Sequence, residues 1–128
     1  MKKFIAFVLF GACLLGVLYV RGLHIVQESM PRDTLIVFFQ KNCPHCHAAM
    51  AFIDETIRPT YPDLKIEYLD VEKQENFLKV SVAVRQYKLG KHIGTPILIL
   101  NGKALMGWSS KTEKNLLSII KSLPAKKS

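Results

Sequence analysis

The chain has 128 residues, of which 49% are apolar, and its 18 basic and 10 acidic side chains give a formal net charge of +8. This length allows one small domain around one hydrophobic core and excludes a multidomain protein. Three basic residues flank an apolar segment at the start of the chain, which leaves 15 basic and 10 acidic residues, a surplus of +5, for the remainder. Because these charges are interspersed, we expect a solvated surface and no nucleic-acid binding.

Residues 4–20 contain no charged side chain and lie between Lys2, Lys3 and Arg21. This length is at the short end of a membrane span and exceeds the usual hydrophobic region of a signal peptide. No clean cleavage site follows, so we predict an uncleaved anchor over residues 1–21, with a cleaved signal peptide as the alternative. The lysines on the amino-terminal side predict a domain outside the cytoplasm. We expect it to be held at the membrane, in the bacterial periplasm at the inner membrane or in an equivalent exported space.

The chain has three cysteines, one of which lies inside the apolar segment. The residues before Cys13 match a lipoprotein cleavage box poorly, so we interpret Cys13 as a membrane-buried thiol rather than a lipid attachment site. The other two form the motif Cys43-Pro44-His45-Cys46. Cysteines at this spacing can face one another across a helical turn and close reversibly into a disulfide. Since a bridge over so short a loop removes little chain entropy, we expect a redox pair rather than a structural one.

The residues before this motif predict its position in the fold. Residues 22–31 are mixed and polar and indicate a linker, and the apolar run 35–39 indicates a central strand covered on both faces. Cys43 then lies at the N-terminus of a helix, where free backbone N–H groups and the helix dipole favour a thiolate. We therefore predict Cys43 as the nucleophile and Cys46 as its resolving partner, with protonated His45 as a further positive charge nearby.

The next elements follow from hydrophobic periodicity. The helix that begins at Pro44 is predicted to end at Pro59, and alternation over residues 64–71 predicts a second strand. Residues 71–87 fit both a helix and a strand. Acidic residues at their start favour the helix. Its apolar face would contain Phe77, Ser81, Val84 and Tyr87.

Residues 97–100 and 103–106 predict a β-hairpin, because Asn101-Gly102 suits a type I′ turn. Ser110 opens a capping box with Glu113, which predicts a last helix that runs to Pro124.

The resulting order, β-α-β-α-β-β-α, predicts an α/β domain over residues 32–123, followed by a basic tail over residues 124–128. We expect a four-stranded mixed sheet with helices on both faces. In it, two βα steps make the first three strands parallel, and the hairpin adds an antiparallel edge. The cysteines then lie at the carboxyl end of the first strand, where open α/β sheets place their sites.

Residues 32–123 resemble the thioredoxin-fold thiol-disulfide oxidoreductases. The resemblance rests on a strand, a Cys-x-x-Cys motif and a helix in succession, on Thr95-Pro96 before the hairpin, and on an Asn-Gly-Lys turn at residues 101–103. It implies a cis peptide bond between Thr95 and Pro96 beside the disulfide, where their backbone pairs with an extended client peptide. Thr95 and Pro96 are therefore candidate substrate-binding residues.

The dipeptide Pro44-His45 is similar to that of the DsbA family of periplasmic oxidases, which implies that these two residues tune the Cys43 thiolate. Two departures limit the resemblance. Residues 71–95 are too few for the helical domain that DsbA inserts, and Val37 replaces the buried acid that these families keep six positions before the first cysteine. Another group, or water, must then handle the Cys46 proton.

Two other chemistries use the same residues. The pattern Cys-x-x-Cys-His is also the attachment signal for c-type haem, but the haem-binding domains are helical. A metal could be held by Cys43, His45, Cys46 and His47, although four ligands within five residues are sterically awkward.

We therefore predict a membrane-anchored thiol-disulfide oxidoreductase with no metal or other cofactor. It would act as a monomeric domain on the thiols or disulfides of protein clients, together with a membrane redox partner. A stabilised thiolate makes the disulfide a stronger oxidant, which favours oxidation of clients. A thioredoxin-like reductase is the alternative.

Overall fold

The computed structural model describes residues 30–124, together with Val8, Gly11 and Cys13. Apart from these three residues, the predicted membrane segment lies outside the described residues, as do most of the linker and the tail after Pro124, together with the boundaries predicted for them. In the part of the chain that is described, no helix is long and apolar enough to cross a membrane.

The elements of the domain follow the predicted order. The strands are β1 (Thr34–Phe39), β2 (Lys65–Asp70), β3 (Ile97–Leu100) and β4 (Lys103–Met106). The first helix, α1, consists of an α-helical part (Pro44–Phe52), a π-helical turn (Ile53–Ile57) and a last α-helical turn (Arg58–Thr60). The other helices are α2 (Gln74–Gln86) and α3 (Ser110–Lys121). The predicted four-stranded mixed sheet is confirmed, with the strand order β2-β1-β3-β4.

The direction of β3 was predicted wrongly. β1 and β2 are parallel, but β3 is antiparallel to β1, with Phe38 opposite Ile97. The end of α2 lies near the amino end of β1, because Tyr87 and Met30 pack against the same core cluster. The ten residues 87–96 can span up to about 33 Å, more than the ~20 Å length of α2. They return the chain to the carboxyl end of β1 before β3 begins, so that β3 runs antiparallel to β1.

Side chains of β1 point alternately into two clusters, one on each face of the sheet. Leu35 and Val37 belong to the cluster that α1 and α3 cover, and Ile36 and Phe38 belong to the cluster that α2 covers. These four side chains are at most 2% exposed. The predictions of a central strand buried on both sides and of helices on both faces are therefore confirmed.

Pro59 does not end α1, contrary to the prediction. The preceding turn is π-helical, with the Arg58 N–H donating to the Ile53 carbonyl five residues earlier. Pro59 then lies in the first turn of the following α-helical part, where its missing N–H is tolerated. The helix ends at Thr60, and the Tyr61 N–H donates to the Ile57 carbonyl at 2.8 Å.

The buried face of α2 agrees only in part with the predicted one: Ser81, Val84 and Tyr87 are half-buried, and Tyr87 packs against the core, but the first predicted residue, Phe77, is not on this face. Asn76, Val80 and Ala83 are buried, whereas Phe77 is 58% exposed. The Asn76 amide donates to the Asp70 carbonyl at 3.0 Å, which fixes the start of the helix against the end of β2. This buried hydrogen bond favours the face that contains Asn76, Val80 and Ala83 over the one that contains Phe77.

The hairpin is as predicted, with Asn101 at φ 50° and Gly102 at φ 72°, both in the left-handed region that a type I′ turn requires. The N-cap of α3 is one residue earlier than predicted. It is Ser109, whose Oγ accepts the Thr112 N–H at 3.3 Å. Ser110 is the first residue of the helix rather than its cap.

Candidate redox site

Cys43 is the N-cap of α1. Its backbone is extended (φ −105°, ψ 108°), and its Sγ accepts the Cys46 N–H at 3.2 Å. Pro44 follows in the first turn, where its fixed φ suits a helix and its missing N–H costs nothing. The sulfur of Cys43 thus takes the place of a capping oxygen, close to free backbone N–H groups.

Cys43 and Cys46 form a disulfide, and their Cα atoms are 5.2 Å apart. Their exposure differs, because Cys46 is completely buried and Cys43 is half-buried. The sulfur atom of another molecule can therefore reach Cys43 but not Cys46. This asymmetry is what the predicted roles of nucleophile and resolving cysteine require.

Thr95 and Pro96 lie beside Cys43, although they are far from it in sequence. The peptide bond between them is cis, as the resemblance implied. The Thr95 carbonyl oxygen lies 3.6 Å from Cys43 Sγ, and the Thr95 hydroxyl lies 3.5 Å from the same sulfur. Pro96 is buried, and its carbonyl accepts the Gly107 N–H at 2.8 Å. Together with the antiparallel β3, this places the Thr95 backbone beside Cys43 at the carboxyl end of β1, and its role in binding a substrate stays a prediction.

The two histidines of the motif lie at the surface. His45 is exposed and makes no side-chain hydrogen bond to another described residue, so its role in tuning Cys43 stays a prediction. The Nε2 of His47 is 2.6 Å from the Lys41 carbonyl oxygen, to which it must donate. His47 therefore connects the first turn of α1 to the loop before it.

Sequence reasoning did not find Gln40. Its Oε1 accepts a hydrogen bond from the Thr95 hydroxyl at 3.2 Å, and it lies three residues before Cys43. No motif indicates this role, since the contact depends on the loop that brings Thr95 to the end of β1. The same loop places Gly94, whose N–H donates to the Met106 sulfur at 3.4 Å.

Val37, which stands six positions before Cys43, is fully buried in the cluster under α1 and α3. It carries no group that could exchange a proton with Cys46. Lys41 and Asp70 form an ion pair at 3.6 Å near the ends of β1 and β2, and the Asp70 carboxylate also accepts the Glu72 N–H at 3.0 Å. This carboxylate is therefore occupied in holding the turn after β2.

Within the described ranges, no three His, Cys, Asp or Glu side chains are grouped so that they could hold a metal ion. A cleft of about 850 Å³ lies at the opposite end of the sheet from Cys43, next to the start of β1 and the end of α3. Its walls include Arg32, Tyr61, Leu64, Ile120 and Leu123. It is thus separate from the cysteine pair.

Comparisons with known proteins support the fold. No protein-family profile matches the chain, and a search of curated proteins finds no match. Among solved structures, the chain is similar to a glutaredoxin from Archaeoglobus fulgidus, with a TM-score of 0.51 and 17% sequence identity. The similarity covers 77% of this chain and 96% of the glutaredoxin. The fold is therefore of the thioredoxin and glutaredoxin type, with a close cysteine pair at the N-terminus of its first helix.

Proposed function

We propose that this protein is a thiol-disulfide oxidoreductase that exchanges disulfides with protein clients. The observation that carries the proposal is the half-buried Cys43, which caps α1 and is joined to the buried Cys46 beside the cis bond before Pro96. A helix N-terminus stabilises a thiolate, and a thiolate is both the attacking and the leaving form in exchange.

In the oxidising direction, a client thiolate attacks Cys43 Sγ and forms a mixed disulfide. The bond between Cys43 and Cys46 breaks, and the Cys46 sulfur leaves with the electron pair and takes up a proton. A second client thiolate then attacks the client sulfur of the mixed disulfide and releases Cys43 as a thiolate. The client dithiol has lost two electrons and two protons, and the protein has gained the two electrons.

We favour oxidation of clients as the working direction. Cys43 Sγ lies within reach of the Cys46 N–H and the Thr95 hydroxyl, two donors that would stabilise a thiolate and hence the reduced form. The alternative is a reductase, which uses the same steps in reverse. A domain with a single helix between β2 and β3, and the similarity to a glutaredoxin, support that alternative.

The first experiment separates the roles of the two cysteines. We expect Cys43→Ser to abolish disulfide exchange with a reduced, unfolded protein client, because the attacked sulfur is lost. Cys46→Ser leaves Cys43 as a free thiolate. It should attack a client that contains a disulfide, displace one client sulfur as a thiolate and accumulate as the mixed disulfide, since no resolving thiol remains. Non-reducing electrophoresis and mass spectrometry of the adducts measure both results. Retained exchange without Cys43 would contradict the mechanism, whereas Cys13→Ser is the control and should behave as the wild type.

The second experiment decides the direction. The full chain is equilibrated with glutathione buffers, and the fraction of the pair in the disulfide form is measured by thiol alkylation. A reduction potential near about −120 mV is that of a strong oxidant, and one near about −270 mV is that of a reductase. We expect a value closer to the first.

We further propose that the protein is anchored in the inner membrane through residues 4–20, with the redox domain in the periplasm. The uncharged run behind Lys2 and Lys3 supports this placement. In a bacterial host, the full chain should sediment with membranes, resist carbonate extraction and be digested by protease added to spheroplasts. Recovery in the soluble periplasmic fraction would indicate a cleaved signal peptide, and protection from protease would contradict export.

A further inference from the structure

The Thr95 hydroxyl has a single hydrogen and two acceptors within reach. Its Oγ1 is 3.2 Å from Gln40 Oε1 and 3.5 Å from Cys43 Sγ. A hydroxyl donates one hydrogen bond, and a neutral sulfur is a weaker acceptor than an amide oxygen. In the disulfide form, the hydrogen of Thr95 is therefore directed at Gln40.

Reduction reverses this preference. A client dithiol that becomes a disulfide gives up two electrons and two protons; the pair accepts the electrons, Cys46 takes one proton and the other passes to solvent. Cys43 is then a thiolate, and a charged sulfur is a stronger acceptor than a neutral amide oxygen. The Thr95 hydroxyl turns its hydrogen to Cys43, which leaves its lone pairs facing Gln40. The Gln40 amide carries an NH₂ group as well as its oxygen, and rotation of its terminal torsion presents that donor.

We propose that Gln40 is a positioning residue that raises the reduction potential of the cysteine pair through Thr95. It accepts from the Thr95 hydroxyl in the disulfide form and donates to it in the thiolate form. Hydrogen bonds in a chain polarise one another, so the donor from Gln40 strengthens the bond between Thr95 and the Cys43 thiolate. The inference rests on the proposed function, because it describes the reduced form of the same pair.

The test is a comparison of side chains at position 40 in the full chain, equilibrated with glutathione. Gln40→Met keeps the length of the side chain but removes the amide. We expect the equilibrium constant for oxidation of glutathione by the pair to fall about threefold, or about 14 mV for two electrons. In Gln40→Glu, the carboxylate accepts a hydrogen bond but cannot donate one, and it adds a negative charge. The equilibrium constant should therefore fall further than in Gln40→Met. Gln86→Met, the same change at an exposed position of α2, is the control and should have no effect.

The decisive comparison repeats these variants with Thr95→Val, which keeps the shape of the side chain but lacks the hydroxyl. In that background, Gln40→Met should leave the equilibrium constant unchanged, and Gln40→Glu should keep only the smaller effect of its charge. The same threefold decrease in both backgrounds, or none in either, would overturn the role assigned to Gln40 while the protein still exchanged disulfides. A wild-type pair that does not exchange at all would instead overturn the proposed function itself.

Discussion

Two helices cover one face of the sheet, and a single helix covers the other. The cluster under α1 and α3 contains nine buried apolar residues, five of which come from these helices. The cluster under α2 contains six, of which the helix contributes only Val80 and Ala83. The outer side of α2 also leaves large apolar side chains in solvent, with Phe77 58% and Leu78 63% exposed.

This difference shows how the redox site is supported. The helix that carries the cysteines is on the more extensively packed face, where Ile53 and Ile57 in its second half are completely buried. Its first half contributes the small buried residues Cys46 and Ala49. The second half of α1 therefore anchors the helix in the core, away from the disulfide at its first turn. The sulfur atoms can change redox state without displacing many core side chains.

The largest effect on the free energy of unfolding is expected for a substitution on the face with two helices. Leu116→Ala in α3 removes a fully buried side chain and should lower the free energy of unfolding by about 2–5 kcal/mol. Leu78→Ala is the matched control on α2, because the same change at this exposed position should stay within about 0.5 kcal/mol of the wild type. Urea denaturation of the full chain measures both, and equal losses would contradict the contrast between the two faces.

A smaller effect on the free energy of unfolding is expected for a substitution at the start of α2. Asn76→Ala removes the buried hydrogen bond to the Asp70 carbonyl and should cost about 1–2 kcal/mol of unfolding free energy. The exposed neighbour Gln74 provides the control, since Gln74→Ala should be nearly neutral. The same denaturation experiment applies. An unchanged stability of the Asn76 variant would mean that apolar packing alone sets the rotation of α2.

The smallest effect on the free energy of unfolding is expected for a solvent-exposed contact at the margin of the face with two helices. Asp54 accepts hydrogen bonds from Arg58 at 2.7 Å and from the Tyr68 hydroxyl at 2.8 Å, which connects α1 to β2. The hydrogen bond from Arg58 lowers the pKa of Asp54, against a smaller opposing effect of burial. Burial, followed by the hydrogen bond to Asp54, raises the pKa of Tyr68 above its ordinary value of 10.0.

A lowered carboxyl pKa contributes stability that is present above the ordinary value of 3.8 and is lost as the pH falls through the lowered value of the folded protein. Because Asp54 and Arg58 are about half exposed, we expect Asp54→Asn to cost only about 0.2–0.5 kcal/mol at neutral pH. The difference from the wild type should disappear in strong acid. Denaturation curves from neutral pH to strong acid measure this difference in unfolding free energy. A difference that does not depend on pH would assign the effect to something other than the charge of Asp54.

Much of the fold was predictable, because short-range signals agree with one another. The apolar run of β1, the Asn101-Gly102 turn and the proline after Cys43 each act through their own backbone preference, and the structure shows all three where the sequence indicates them. The cysteine pair itself was found from spacing alone. The cis bond before Pro96 followed from a family resemblance rather than from the residues.

Three of the features that sequence reasoning missed depend on contacts with another segment of the chain, whereas the end of α1 and the cap of α3 were each missed by one residue for local reasons. The antiparallel direction of β3 depends on how far residues 87–96 extend, and the rotation of α2 depends on a hydrogen bond from Asn76 to the end of β2. Gln40 has no recognisable pattern, because its partner Thr95 is 55 residues away.

The sequence by itself determined the elements, their order and the two sulfur atoms, since turn, cap and periodicity preferences act over a few residues. Only the tertiary structure decided which surface of α2 is buried, how deeply each cysteine is buried, and which groups surround Cys43. The physical reason is that burial and hydrogen-bond partners are properties of the packed chain. They arise only when the loop after α2 returns Thr95 to the end of β1.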